Sequence, residues 1–404
     1  MIFAGVDWAE AHHDVCVMDD AGKVLARQRI ADSLEGLAEL HGLLAEHAEE
    51  SEDVVVGIEK DRGLIVTALL AAGYAVYGVN PMASSRYRDR HHVSGAKSDP
   101  GDAKVLADMV RTDRHNLRAV AGDSSLAEGV KVLARAHQNA IWSRQRLVNQ
   151  LRNALKDYYP GALEAFGTAL SSSDAIAVLA VAPTPPLGRV LSVEGIAHAL
   201  QGGGRQRNIE RRATEIHAAL QMPQLSQPEV LETAYGHVTA STVRLIAASN
   251  QEVAELEAAL TSTFEEHPDA KVIHSLPGIG MVLGARVLGE FGDGPNRYSD
   301  GKSRRNYAGT SPITKASGKS HVVLARFARN RRLADALDQW AFCSITQSPG
   351  ARRYCDELRA RDKTHRQALR QLANRWVGIL HGCLEEHVLY EEERAWTRNE
   401  SLAA

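Results

Sequence analysis

The chain has 404 residues, which is enough for two or three domains, and 44% of them are apolar, which is enough to form a core. Its four cysteines show no CxxC spacing, which argues against a zinc knuckle or a disulfide framework and suits a reducing cytoplasm. The first ten residues lack the basic start of a signal peptide, no apolar stretch is long enough to cross a bilayer, and the net charge of −3 does not by itself indicate a nucleic-acid partner.

Residues 1–123 are predicted to form an α/β domain. Apolar or alternating segments predict strands, and apolar residues at helical spacing predict helices. In chain order, the predicted elements are a strand at 2–6, a hairpin of 13–18 and 23–30, a helix at 34–47, a strand at 53–58, a helix at 64–72, a strand at 74–79 and a helix from about 98 to 114.

Residues 124–266 are predicted to form a helical linker. It contains long helices at 124–160 and from Pro228 to about 266, with a shorter helix at 209–220. The segment 182–207 holds three prolines and a run of three glycines, which indicates a loop or flexible insertion. The two long helices suggest an antiparallel arm, a coiled coil that would mediate self-association. Residues 267–390 are predicted to form a third, mostly helical domain.

Four acids in the first domain suggest a metal site. Asp7 and Glu59 each follow an apolar strand, and Asp99 and Asp102 lie three residues apart at a helix start. Carboxylates gathered at one sheet edge repel each other unless cations neutralise them, and oxygen ligands favour Mg²⁺ or Mn²⁺. The alternative for the second pair is a plain helix start, with Asp99 as N-cap and Pro100 at the first helical position.

Two segments are basic and contain no acid, 129–156 with six Lys or Arg and 301–332 with nine. Segregated basic faces indicate a phosphate-binding surface, whereas solvated helix faces are the alternative. In the second segment and its surroundings the expected nucleic-acid contacts are Lys302, Arg304, Arg305, Lys315, Lys319, Arg329 and Arg331.

A glycine-rich turn precedes the second basic segment. Residues 274–280 (HSLPGIG) predict a tight turn between two short helices, with Gly278 and Gly280 leaving backbone N–H groups open. This pattern is typical of a helix-hairpin-helix, which holds a DNA phosphate on backbone amides. Farther along, Ser317 is followed by a glycine and flanked by Lys315 and Lys319; on chemistry alone it is as well explained as a surface loop serine.

Residues 5–9 (GVDWA), 57–59 (GIE) and 97–103 (KSDPGDA) resemble the three catalytic blocks of the DEDD transposases of the insertion-sequence-110 family. The resemblance implies an N-terminal ribonuclease H-like (RuvC-like) domain, a helical linker and a C-terminal transposase domain. It implies that Asp7, Glu59, Asp99 and Asp102 bind the metal. Residues 309–312 (GTSP) followed by Ser317 and a glycine are similar to the motif of the family's catalytic serine.

The role of nucleophile is therefore assigned to Ser317, with Ser320, Ser311 and Ser303 as further candidates. The resemblance implies that a structured RNA from the element pairs with donor and target DNA, so that base pairing supplies the specificity. It also implies a homo-oligomer, a dimer or tetramer, that acts at the bacterial nucleoid. No membrane partner is expected.

Three other functions compete with this interpretation. A junction resolvase or nuclease on the same fold would use water and would not need Ser317. A sugar kinase or actin-like ATPase would need a glycine-rich phosphate loop after the first strand, and residues 8–10 (WAE) do not form one. A non-catalytic DNA-binding protein would use the acids only structurally.

Overall fold

A computed structural model describes residues 1–91, 98–120, 122–295, 297–317, 320–326 and 329–396. The chain divides into two compact units, Met1–Gly122 and Asp123–Ala404. The first is built on a mixed sheet flanked by helices, and the second is almost entirely helical. Among the described helices, none is both long and apolar enough to span a membrane.

The first unit contains a six-stranded sheet in the order β3-β2-β1-β4-β5-β6. The central strands β1, β4 and β5 are parallel, and the remaining pairs are antiparallel. The strands are β1 (Ile2–Trp8), β2 (His12–Met18), β3 (Val24–Ala31), β4 (Val54–Ile58), β5 (Ala75–Gly78) and β6 (Arg118–Ala119), and the helices are α1 (Leu34–Ala45), α2 (Leu64–Ala71), α3 (Pro81–His91) and α4 (Asp99–Thr112).

The sheet is covered on both faces. Alternate residues of β1, including Ala4 and Val6, pack with α1 and α2, while the opposite face of the sheet packs with α4. Helix α3 was not predicted, although the sequence carries its signal: Asn80 accepts a hydrogen bond from the N–H of Met82 (2.8 Å), directly beside Pro81. An Asn followed by Pro is a frequent helix start.

The second unit begins with helices that surround one core and ends with helices that surround another. Its elements are α5 (Ser125–Tyr158), α6 (Pro160–Phe166), α7 (Ser173–Val181), α8 (Pro185–Val190), α9 (Val193–Gly202), α10 (Ile209–Gln221), α11 (Glu229–Glu265), α12 (Ala270–His274), α13 (Met281–Phe291), α14 (Gly301–Ala308), β7 (Ile313–Ser317), β8 (Ser320–Leu324), α15 (Arg331–Ser344), α16 (Pro349–Ala360), α17 (His365–Glu386) and α18 (Glu392–Trp396).

The long helices α5 and α11 pack against each other in antiparallel directions. Val130 near the start of α5 shares a core with Phe264 near the end of α11, whereas Leu151 shares the other core with Val243. This pairing matches the predicted antiparallel arm. Its role as a coiled coil for self-association stays a prediction.

The predicted loop at 182–207 is wrong, because α8 and α9 occupy most of it. Pro185 lies in the first turn of α8, where a missing N–H costs nothing. Ser192 caps α9 by accepting a hydrogen bond from the N–H of Gly195 (3.1 Å), and Ile196 and Leu200 are buried. Proline and glycine mark helix ends here and not an irregular segment.

Candidate active site

The first two predicted acids lie side by side at one edge of the sheet. Strands β1 and β4 are parallel, and Val6 pairs with Ile58, so that Asp7 and Glu59 follow at neighbouring positions. On the other side of β1, Asp7 pairs directly with Asp14 of the antiparallel strand β2. Cross-strand partners project from the same face. A carboxylate missed by the sequence interpretation therefore stands beside Asp7.

Two glycines determine how closely α4 approaches this edge. Gly5 and Gly57 are cross-strand partners on the sheet face that α4 covers. A Cβ atom on Gly5 would collide with the backbone of Ala103, and one on Gly57 would lie 2.7 Å from the carbonyl oxygen of Leu106. Side chains alternate along a strand, so Asp7, two residues after Gly5 in β1, points to the same face as these glycines, and Glu59 directly follows the end of β4.

The start of α4 carries the other two predicted acids. Asp102 is buried, whereas Asp99 is exposed. Asp99 is the first helical residue and Ser98 is the N-cap, so the alternative in which Asp99 itself caps the helix is wrong. Since the glycines admit α4 to the sheet, its first turn lies against the ends of β1 and β4.

The other carboxylates act electrostatically on Asp7. Burial and the negative charges of Asp102, Glu59, Asp99 and Asp14, in that order, raise the pKa of Asp7 to about 6. Burial disfavours the charged form, and nearby like charges add to this effect. The structure thus brings all four predicted acids, and Asp14, into one electrostatic environment.

Basic and hydroxyl side chains already contact four of the acids. The guanidinium of Arg88 on α3 forms an ion pair with Asp102. Ser84, also on α3, donates a hydrogen bond to Glu59 (2.6 Å). Arg29 of β3 donates to both carboxylate oxygens of Asp14, at 3.2 and 2.8 Å. Its Nη2 atom lies 3.8 Å from Asp99.

The donor set fits a divalent cation. Among the described residues, one group of three side chains places its ligand atoms within 4.8 Å of one another, namely His12, Asp14 and Asp99, so that Asp99 is the one predicted acid that belongs to it. Carboxylate oxygens suit Mg²⁺ and Mn²⁺. Burial and the surrounding negative charge raise the pKa of Asp7, and a cation would offset that charge. His12 and Asp14 carried no sequence signal, because only the strand register places Asp14 opposite Asp7 and only tertiary packing brings Asp99 to His12 and Asp14.

Ser317 is the last residue of β7, pairs with Ser320 of β8 and is exposed. The hairpin of β7 and β8 was not predicted. Ser317 therefore ends a strand, and the alternative of a surface loop serine has the wrong local structure. The side chains of Lys315 and Ser320, and all of Lys319, fall outside the described residues. Of the other candidates, Ser311 is half-buried, and the Oγ of Ser303 lies 2.8 Å from the Oγ of Ser299.

The glycine-rich turn lies between α12 and α13 as predicted, but Gly278 does not present an open amide. Its N–H donates to Oε1 of Gln347 at 2.9 Å. Its φ is +80°, and a Cβ there would meet the backbone of Ser344 on α15. The glycine is therefore needed for packing. Gly280, by contrast, is exposed and precedes α13.

The predicted basic contacts divide into two groups. Arg304 is buried, with its guanidinium 4.6 Å from the ring centre of Tyr298 and 5.4 Å from that of Phe291. Burial lowers the pKa of Arg304, and its assignment as a phosphate contact is wrong. Arg305 is half-buried against Gly378 of α17. The exposed members of the set are Lys302, Arg329 and Arg331.

Comparison with known proteins gives two family models and several relatives, and they agree with one another on the family. A family model described as a transposase, of the DEDD and IS110 type, matches residues 4–160, and one described as "Transposase IS116/IS110/IS902 family" matches residues 270–356. The chain is 42% identical over 399 residues to the Streptomyces coelicolor protein named "Mini-circle putative transposase for IS117", covering 98% of this chain and 96% of that protein.

Two further relatives are more distant. The chain is 27% identical over 398 residues to a 42 kDa protein of insertion element IS900 from Mycobacterium paratuberculosis, covering 96% of this chain and 97% of that protein. It is 28% identical over 400 residues to a 43.6 kDa protein of insertion element IS110 from Streptomyces coelicolor, covering 96% and 95%. A DEDD domain implies a ribonuclease H-like fold, with which the mixed sheet of the first unit agrees.

Proposed function

Since this chain belongs to the IS110 family of transposases, which are DNA-processing enzymes, we propose that it cuts and rejoins DNA strands with a carboxylate-bound metal and a serine nucleophile. The observation that carries the proposal is the gathering of Glu59, Asp99, Asp102 and Asp14 around Asp7, whose pKa is raised to about 6 by burial and then by these negative charges. Such a concentration of negative charge is expected where a cation binds.

In this proposal Asp7, Glu59, Asp99 and Asp102 hold the metal, Mg²⁺ or Mn²⁺. When bound, the cation would supply positive charge that stabilises the negative charge developing at a scissile phosphodiester. Asp14 adds a fifth carboxylate opposite Asp7. The ion pair between Arg88 and Asp102 limits the repulsion among the acids while no cation is bound.

Ser317 is proposed as the nucleophile. Its Oγ loses its proton and forms an ester bond to phosphorus, the bond from phosphorus to one deoxyribose oxygen breaks, and that oxygen gains a proton and leaves as a hydroxyl, so the protons balance. The ester conserves the energy of the phosphodiester, so a second DNA end can displace the serine without an external energy source. The exposed position of Ser317 at the end of β7 supports this role.

We further propose that a structured RNA of the element guides the reaction and that the protein acts as a dimer or tetramer. Both parts depend on the resemblance to the family. The exposed residues Lys302, Arg329 and Arg331 are suited to nucleic-acid backbone, since each adds a positive charge to a surface segment that contains no acid.

A nicked suicide substrate tests the nucleophile. The wild-type protein should shift to a DNA-linked band in a denaturing gel with Mg²⁺ and should not do so with chelator. Ser317→Ala should bind DNA normally and form no adduct, whereas Ser226→Ala, which alters an exposed serine outside the proposed site, should behave like wild type. An adduct on Ser320 or Ser311 would reassign the residue. Cleavage by Ser317→Ala at the normal rate would instead indicate a nuclease that uses water.

A further inference from the structure

A cleft between the end of α15 and one face of α16 has no role in the proposed reaction. Its volume is about 590 Å³, and its wall includes Phe342, Arg352 and Arg359. Phe342 is 60% exposed, which is unusual for a large aromatic side chain in a helix that otherwise packs into the core. His365, at the start of α17, meets the ring of Phe342 edge-on at 6.3 Å.

The chemistry of the cleft is an aromatic surface bordered by positive charge. Arg352 and Arg359 are exposed and lie seven residues apart, so they occupy the same face of α16. Arg359 donates one hydrogen bond to the carbonyl of Lys363 (2.7 Å), which fixes its orientation. Arg352 forms no ion pair with any described carboxylate. Asp356 also lines the cleft, and it offsets one of the two positive charges.

The surroundings extend the positive surface. Four further exposed basic side chains follow on α16, the turn after it and α17, and they are Arg353, Arg361, Lys363 and Arg366. On its other side the cleft includes Gln347, the residue that accepts the hydrogen bond from Gly278. One wall residue of the cleft therefore contacts the glycine-rich turn between α12 and α13.

We propose that this cleft binds an unpaired nucleotide of single-stranded DNA, with the base against Phe342 and the phosphate near Arg352 and Arg359. A stacking platform beside basic side chains is how proteins hold single strands with little sequence preference. In a duplex the bases are stacked on each other and cannot reach such a ring. The partner is DNA because the matched family models and relative are transposases, which act on DNA, and a strand must leave its duplex when it is exchanged.

The proposal requires a protein that handles DNA strands, and it does not require Ser317 or a metal. It can therefore be tested with chelator present, a condition in which the proposed metal-dependent cleavage does not occur. A failure in this test would leave the proposed chemistry intact, and a failure of the serine chemistry would leave the cleft intact.

Cys343 provides a local probe, since it lines the cleft and is the exposed member of the four cysteines. A fluorescent maleimide should label it in the full-length protein. A short thymidine oligonucleotide should slow this labelling, whereas a blunt duplex of equal length should not. Labelling that the oligonucleotide does not slow would overturn the proposal. Protection by a uridine RNA of the same length without protection by DNA would also overturn it and identify the partner as RNA.

Variants test the two contacts. Phe342→Ala should weaken binding of the oligonucleotide about five- to tenfold, as expected for loss of one base-stacking contact, and Phe342→Tyr should restore it. Leu245→Ala, which removes an exposed apolar side chain from α11, is the matched control. Arg352→Glu should weaken binding more than Arg211→Glu, which changes the net charge equally at an exposed site on α10.

The cleft could otherwise be covered by a second copy of the chain. Sedimentation of Phe342→Ala decides this. A smaller assembly with unchanged binding of single-stranded DNA would overturn the proposal, whereas weaker binding at unchanged mass supports it.

Discussion

Gly5 and Gly57 face each other across the parallel strands β1 and β4, two residues before Asp7 and Glu59. Because neither glycine has a Cβ, the backbone of α4 lies directly on the sheet at this point. The closeness brings the first turn of α4, with Asp99 and Asp102, to the strand ends. The arrangement of the acids therefore depends on two residues that have no functional group.

Replacing Gly5 tests this dependence. Gly5→Ala should lower the free energy of unfolding by about 1–3 kcal/mol, since its methyl group would collide with the backbone of Ala103 and overpack the interface. It should also weaken binding of Mn²⁺, because α4 would move away from the sheet. Urea denaturation and calorimetry measure the two effects.

The matched control is Gly42→Ala on α1, where a Cβ meets no atom within 4 Å. An alanine in an exposed helix is expected to stabilise the protein by about 0.5–1 kcal/mol. Equal stability of Gly5→Ala and wild type would mean that α4 can shift without cost.

The pKa of Asp7 leads to a pH-dependent stability. The carboxyl titrates at about 6 in the folded protein, against an ordinary value of 3.8. Between these pH values the folded state binds more protons than the unfolded state, so the free energy of unfolding decreases as the pH rises through this window and stays lower above it. Asp7→Asn should therefore be more stable than wild type at pH 7.5 in chelator.

The expected difference is about 1 kcal/mol, after allowance for the partial exposure of Asp7. Below about pH 4 it should vanish, and Mn²⁺ at pH 7.5 should stabilise wild type more than the variant. Asp53→Asn, which removes an exposed carboxyl outside the site, is the control. If Asp7→Asn were no more stable than wild type in chelator, the burial of Asp7 and its repulsion by the neighbouring acids would not lower the stability of the folded protein.

Arg88 forms an ion pair with Asp102, so we expect it to compete with a cation for this carboxylate. Arg88→Gln should therefore bind Mn²⁺ more tightly, by about three- to tenfold, since one positive charge is removed at short range. Arg86→Gln removes an exposed arginine from the same helix and should leave the affinity unchanged. Weaker binding by Arg88→Gln in calorimetry would mean that Arg88 positions Asp102 for the metal instead of opposing it.

Exposed and buried basic residues of the second unit should differ in their contribution to the salt dependence of DNA binding. Each of Arg329→Glu and Arg331→Glu should flatten the salt dependence of DNA binding by about one counterion, since both side chains are exposed. Arg304→Gln should leave the slope unchanged, because the guanidinium packs on Tyr298 and Phe291. Binding measured by anisotropy over a salt series distinguishes them, and a flatter slope for Arg304→Gln would contradict its buried position.

Several features followed from local sequence patterns. Apolar runs that end at Asp7 and Glu59 predicted two central strands, and the acids after them were expected at one sheet edge. Parallel strands bring their carboxyl ends together, so this expectation needed only the order of the elements. The two long helices were likewise predicted from length and apolar spacing, because both are periodic over many turns.

Other features depended on packing between distant segments. Asp14 reaches Asp7 only through the register of β1 and β2, and Arg88 reaches Asp102 only through the packing of α3 on α4. A pattern in one segment carries no information on either pairing. Arg304 and Gly278 were misassigned for the same reason, since a basic side chain and an open amide look alike in sequence whether or not another helix covers them.

The sequence by itself thus determined which acids could form the site, because their positions relative to strand and helix ends are local properties. The tertiary structure decided which charges oppose them and which basic residues remain free to meet nucleic acid. Those properties depend on burial and on distances between segments far apart in the chain, where Coulomb energy and desolvation are set by the fold.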